Sequence, residues 1–279
     1  MKTFTLKKYL PEIVTFYVLA LAALIVSVFF DLKIDIAVNN TSNFVANWFA
    51  QTGEMPASVF SFIALAFIAK CADKKWLKTL AALISLGAGG YFGSWFSNRL
   101  FEDNEFQTGF GILFGVGTAA VALFVMHFIS LPDELRKPLF VLSIVALCAL
   151  GVQTGLISLM KGLWGRVRFR DLDETYSQFT AWYIVNGNTG NHSFPSGHTG
   201  SAGMSYAMMF LPFVSEKCRK NKFWCFLIPF AYTTTVALTR LVMGAHYLSD
   251  VTVGGIIAFT CVIVGIAVFE KISEKIAER

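Results

Sequence analysis

Charge is what this chain has least of. Only 15% of its 279 residues are Asp, Glu, Lys or Arg, 55% are hydrophobic, and mean hydropathy is +0.59. A soluble domain carries about 25% charged residues, so an ordinary soluble globule is excluded. Low charge with long apolar runs points to a multi-span helical membrane protein. The five cysteines, Cys71, Cys148, Cys218, Cys225 and Cys261, include no Cys-x-x-Cys pair. A disulfide framework and a zinc site are therefore not expected, and the thiols read as small hydrophobes. There is no Ser/Gly-rich or Pro-rich linker, no low-complexity segment and no sequence repeat. The formal net charge of +5 does not indicate a nucleic-acid partner, because the basic residues fall in short clusters between apolar runs, as membrane topology requires.

Along the chain, an apolar run over 13–30 reads as a retained helix. A weak Ala20-Leu-Ala22 cleavage signal falls inside it rather than after it. Residues 31–56 read as a polar connector. Within it Phe44, Val45, Trp48 and Phe49 share one helical face, as in a short helix at the membrane interface; a loop with buried aromatics is the equal alternative. Residues 57–69 are apolar but short for a span. Further runs cover 77–96 and 110–131, with Gly89/Gly93 and Gly111/Gly115 each four apart, a spacing that lets helix backbones approach closely in lipid. A helix opens at Pro138 and runs to about 160. Spans over 198–214, 223–243 and 247–269 follow, making eight.

If the N-terminus is cytoplasmic, the inside segments hold three basic residues at the start, four at 70–78, two at 136–137, four at 217–222 and three in the tail: 16 of the 23. Five of the remaining seven lie in polar islands between 161 and 250 or, for Arg170, two residues past the first of them. The same topology brings these islands to one face, the outer one, with both termini cytoplasmic.

The islands are Lys161 to Arg168, Phe194 to Thr199, and Thr239 to Asp250. Ionisable groups beside a bilayer mark functional sites by default. Lys161, Arg168 and Arg240 suit an anion, the arginines as bidentate forks. Ser196 and Gly197 at a helix start offer backbone N–H groups at the positive end of the dipole. Together these make a phosphoryl cradle. His246 and Asp250, four apart, fall on one helical face, so the carboxylate can hold one imidazole nitrogen protonated and leave the other free to attack. His198 is then available as the acid. Arg166, Arg168 and Arg170 alternate and would share one side in extended backbone, with two of them free to contact lipid headgroups.

Lys161, six residues, Arg168; then Pro195-Ser-Gly-His198; then Arg240, five residues, His246, three residues, Asp250: this series resembles the type 2 phosphatidic acid phosphatase superfamily, which includes bacterial lipid phosphatases, glucose-6-phosphatase and the vanadium haloperoxidases. The resemblance implies that Lys161, Arg168 and Arg240 bind phosphate with Ser196 and Gly197. It makes His246 the nucleophile that forms a phosphohistidine, Asp250 its orienter and His198 the acid, and it requires no metal and no cofactor. Phe169 stands where the family has Pro, and Thr239 where it has Ser. The family's six-helix core maps onto 71–279, leaving 1–70 as N-terminal additions.

The expectation is an all-α polytopic bundle of about eight spans in a bacterial inner membrane, hydrolysing a phosphorylated membrane lipid at the periplasmic face. Candidate substrates are undecaprenyl diphosphate, phosphatidate, phosphatidylglycerol phosphate and a lipid A phosphate. The alternatives are a lipid-to-lipid phosphotransferase with the same site, a soluble-substrate phosphatase, and a non-enzymatic headgroup-binding or transport protein.

Overall fold

The computed structural model describes residues 4–101 and 105–277. Lys2 and Arg279, counted above in the expected cytoplasmic charge, lie outside the described residues. The protein is an all-α, polytopic helical bundle, with no strand among the described residues. Helix α1 spans Leu10–Val38, α2 Phe44–Thr52, α3 Met55–Cys71, α4 Lys75–Leu100, α5 Glu105–Phe128 and α6 Asp133–Trp164. A broken helical segment follows: α7 (Gly197–Gly203), a 3-10 turn over Met204–Phe210, and α8 (Leu211–Val214). Helix α9 is Glu216–Lys220, α10 Lys222–Val242 and α11 Leu248–Ala277.

Among the described residues, six stretches are long and apolar enough to cross a membrane, against the eight expected. Helix α4 and the segment over 197–214 are the two that fall short. Lys75, Lys78, Asn98, Arg99 and several Gly and Ser residues dilute α4, and the 3-10 turn divides the other into short pieces. Two boundaries also move. Helix α6 starts at Asp133 rather than Pro138, with Asp133 and Glu134 in the first turn where the helix dipole favours acids. Helix α1 runs two turns past Phe30 and carries Asp31 and Asp35, one turn apart, into buried positions. Part of the expected polar connector is thus helix. Helix α2 does form, with the Asn43 side chain accepting from Ala46 N at 2.9 Å. Phe44, Val45 and Trp48 remain exposed on it, whereas Phe49 meets Tyr232 edge-on at 6.0 Å.

The chain divides into two compact units. One comprises residues 57–148 and 265–279. Its seam is the glycine pair on α4 against the pair on α5. A Cβ on Gly93 would stand 2.1 Å from the Gly111 carbonyl oxygen, and one on Gly115 1.9 Å from that of Gly89. Helices in lipid gain little from hydrophobic burial and associate by such close approach.

The other unit comprises residues 1–56 and 149–264. Phe16 of α1 stacks on Phe259 of α11 with centroids 4.0 Å apart, and Tyr206 meets both rings edge-on. Tyr17 and Thr260 share a 2.8 Å hydroxyl bond across the same helices. This packing fixes the C-terminal end of α1 beside the N-terminal end of α11, where the polar islands meet.

Candidate active site

The third island is built on a turn and a helix start. At the end of α10, Gly244 adopts φ +57, a left-handed conformation that favours glycine. It donates to the Leu241 carbonyl at 2.8 Å while Ala245 N donates to that of Arg240 at 3.0 Å. The reversal brings His246 back beside Arg240. Helix α11 then opens at Leu248, so His246 precedes it instead of lying on its face. Asp250, in the first turn, reaches back to accept from Tyr247 N at 3.1 Å, half of a capping box. His246 Nδ1 stands 3.5 Å from Asp250 Oδ2. The two residues do approach as expected, but by a helix-start reach-back, and the separation is long for a hydrogen bond.

Asp250 is wholly buried and fixed from four directions. Arg166 Nη1 donates to Oδ1 at 2.6 Å and Ser193 Oγ to Oδ2 at 2.5 Å. Tyr247 N supplies the third bond. The fourth fixes the main chain, whose carbonyl accepts from Ser196 N at 2.9 Å. That last bond joins the second island to the third. A Cβ on Gly254 would lie 2.4 Å from the Ser196 carbonyl oxygen, so only glycine lets α11 pass this close.

Arg166 corrects the sequence reading. It does not share a side with Arg168 and Arg170, nor does it face headgroups; it is 0% exposed. Gly165 at φ +54 turns the chain and redirects it inward. The Arg166 Nη2 donates to Asp31 Oδ2 at 2.9 Å, its Nε to the Thr180 carbonyl at 2.9 Å, and Nη1 also reaches Ser249 Oγ at 2.8 Å. The guanidinium lies 4.0 Å from the centroid of the Tyr247 ring. Asp31, from α1, also accepts from Ser249 N at 3.0 Å and from its hydroxyl. A charge chain Asp31–Arg166–Asp250 therefore runs behind the His246 imidazole.

The expected cradle residues gather in front. Lys161, in the last turn of α6, donates to the His192 carbonyl at 2.6 Å, leaving two further ammonium hydrogens. A Cβ on Gly197 would meet Lys161 Cε at 3.6 Å, which sets that lysine against the start of α7. Lys161 and Arg240 both lie within electrostatic reach of His246, and Lys161 within reach of Arg168, Asp250 and Glu54. Arg168 is half-buried with a solvent-shielded Nε that has no hydrogen-bond partner. Its backbone (φ -75, ψ 153) is the extended conformation that a following proline imposes. Phe169, buried and stacked on Tyr176 at 5.8 Å, and the Arg170 N to Gly244 carbonyl bond at 3.0 Å anchor the segment in its place. Ser196 takes a different part from the expected one. Its N–H is committed to Asp250 and its hydroxyl caps α7 by accepting from Thr199 N at 3.3 Å. Gly197 and His198, as first residues of that helix, have N–H groups with no intrahelical acceptor.

His198 faces the α2–α3 turn. Its Nε2 is 3.1 Å from the Ala50 carbonyl oxygen and its Nδ1 3.4 Å from Glu54 Oε1. Sequence reasoning missed Asp31, Glu54 and the inward role of Arg166.

Burial pushes the His246 imidazole down to about 4 from its ordinary 6.5, against the upward pull of Asp250 and with Lys161 and Arg240 adding to the fall. At neutral pH the ring is uncharged, as a nucleophile must be. The site thus joins a neutral, oriented imidazole to three cations. No curated protein and no solved structure matches the chain. The family model that does match is that of the PAP2 superfamily, over residues 139–274, from early α6 to the last turn of α11.

Proposed function

We propose that the protein is a phosphatase of phosphorylated membrane lipids, acting through a phosphohistidine at His246. The observation that carries this reading is a buried, neutral imidazole backed by a fixed carboxylate, with Lys161 and Arg240 in electrostatic reach of the ring and Arg168 in reach of Lys161 and Asp250. Phosphoryl transfer is mainly positioning and charge stabilisation. The three cations and the Gly197 N–H bind the non-bridging oxygens. His246 Nε2 attacks phosphorus as the ester P–O bond breaks. Asp250 holds the Nδ1 proton and stabilises the positive charge that forms on the ring. His198 leaves the Ala50 carbonyl and protonates the departing oxygen. In the second half a water attacks the phosphohistidine, His198 takes its proton, and inorganic phosphate leaves.

A lipid substrate is favoured by an apolar cavity of about 210 Å3 immediately behind the site, lined by Ala20, Ala23, Thr199, Leu241, Leu248 and Val251 among others. Thr199, Leu241 and Val251 each adjoin a site residue. A hydrocarbon chain can enter there while the phosphate occupies the cradle, on the periplasmic side of a bacterial inner membrane. The test is phosphate release from phosphatidate, phosphatidylglycerol phosphate, undecaprenyl diphosphate and a lipid A phosphate in detergent. His246→Ala abolishes release in a folded protein, and quenching the wild type in alkaline SDS during turnover of 32P-labelled substrate traps an acid-labile, base-stable phosphoprotein. Full turnover in His246→Ala refutes the nucleophile. Release that requires a second lipid identifies a phosphotransferase instead.

A further inference from the structure

At the face where α3 and α5 end and α4 and α6 begin, the unit made of residues 57–148 and 265–279 forms a half-open cavity of about 520 Å3, well within the size of ligand pockets. Its polar lining is basic. Lys70 comes from the end of α3, Lys78 from the first turns of α4, His127 from the end of α5 and Arg136 from the first turn of α6. No acidic residue lines it, among the described residues. The cations are held at the rim. Lys70 Nζ donates to the His127 carbonyl at 2.7 Å, and Arg136 Nη2 approaches the Lys70 carbonyl at 3.4 Å. Asp133 comes within 3.8 Å of Arg136, but it is 97% exposed and such a pair is worth little in water.

Retention of charge on one side of a membrane does not account for this arrangement. That rule asks for basic residues in the loop, and Lys74 and Lys75 already stand exposed there. Lys70, Lys78 and Arg136 instead converge on a half-open recess, made roomy by Ala66, Ala69 and Ala82. The remaining wall includes the apolar Leu123 and Met126. Along α3, the exposed Val59 and Ile63 continue the helical face that carries Ala66 and Lys70 away from the cations.

We propose that this cavity binds the headgroup of an anionic phospholipid, its phosphate among Lys70, Lys78 and Arg136 and its acyl chains along the Val59–Ile63 face of α3. Basic pockets between membrane helices suit such headgroups. A soluble phosphate satisfies the cations but leaves the apolar wall and the exposed Val59 and Ile63 uncovered, so a lipid is the better occupant. This site is separate from the phosphatase site and does not depend on that assignment.

The full-length protein in a neutral detergent is titrated with dioleoyl phosphatidylglycerol, with dioleoyl phosphatidylcholine and with sn-glycerol 3-phosphate, and bound molecules are counted by native mass spectrometry. Phosphatidylglycerol is a diester and offers the catalytic site no phosphomonoester. One tightly retained phosphatidylglycerol is expected. In Lys70→Gln/Lys78→Gln/Arg136→Gln its affinity falls about a hundredfold, at about fivefold per cation. Ala82→Phe, which fills the cavity and keeps every cation, also loses the lipid, whereas Arg168→Gln, which strips the catalytic cradle, keeps it. Equal retention of phosphatidylcholine, equal binding of glycerol 3-phosphate, or wild-type retention in both the triple variant and Ala82→Phe overturns the proposal.

Discussion

Asp31→Asn isolates the charge chain behind the nucleophile. The substitution keeps the shape and removes one negative charge that accepts from Arg166 Nη2 at 2.9 Å and from Ser249 N at 3.0 Å. Breaking a buried pair outright costs 3–5 kcal/mol because a charge is left uncompensated, on the order of the largest single-site effects. Here Arg166 keeps Asp250 at 2.6 Å, Ser249 Oγ, the Thr180 carbonyl and the Tyr247 ring. The expected loss is therefore that of the charge-assisted bonds alone, about 2–3 kcal/mol. Activity falls by a different route. Freed from Asp31, the guanidinium shifts toward Asp250 and draws the carboxylate from His246, where the contact is already 3.5 Å. A displacement of about 1 Å at a reacting group costs about 100-fold in kcat, with KM little changed because no cradle residue is touched. Phosphate release under saturating lipid, together with thermal unfolding in the same detergent, measures both effects. Arg166→Met and the double variant complete a cycle in which the two losses are strongly non-additive. Wild-type kcat in Asp31→Asn, or additive losses, would show that α1 has no part in orienting His246.

Three further predictions follow from the same geometry. His246 is held down to about 4 by burial, so an imidazole NMR titration finds one histidine neutral well below pH 6. Because the unfolded ring protonates near 6.5 while the folded one resists until about 4, stability is lost as pH falls through that window, by up to about 3 kcal/mol; a His246 resonance, assigned by its loss in His246→Ala, that titrates near 6.5 refutes the burial argument. Gly254→Ala places a Cβ 2.4 Å from the Ser196 carbonyl oxygen, which forces α11 off the second island; phosphate release drops at least tenfold, and an unchanged rate means the contact yields. Ala23→Phe fills the apolar cavity behind the site. It raises KM for a long-chain lipid phosphate and leaves hydrolysis of a short, water-soluble phosphomonoester unchanged; equal effects on both place the tail elsewhere.

What the sequence disclosed and what it hid divide along physical lines. Glycine spacing on α4 and α5 was legible because close approach in lipid has few other solutions. The three islands were legible as segments because polar groups stand out against an apolar background, but the pattern did not show that Ser196 commits its N–H to Asp250 and its hydroxyl to the α7 cap. Span count was less so: residues 197–214 are apolar enough in sequence, yet the 3-10 turn over Met204–Phe210 divides them, and composition does not encode that break. Arg166 was misplaced because alternation in an extended strand was assumed, whereas Gly165 at φ +54 re-aims the chain.

Asp31 and Glu54 belong to a different class. Their partners stand far off in sequence, Arg166 lying 135 positions after Asp31, so no local pattern names them. A signal nevertheless existed. Asp31 and Asp35 follow an apolar run at a spacing of one helical turn, and two acids at the end of a membrane helix are costly unless a cation answers them. Among residues expected at the same face, Arg166 was the cation without an assigned anion. Matching unassigned acids to unassigned cations on one face, before closing the helix at Phe30, would have extended α1 to Val38. It would also have placed this N-terminal helix, which lies outside the 139–274 match, against the catalytic carboxylate.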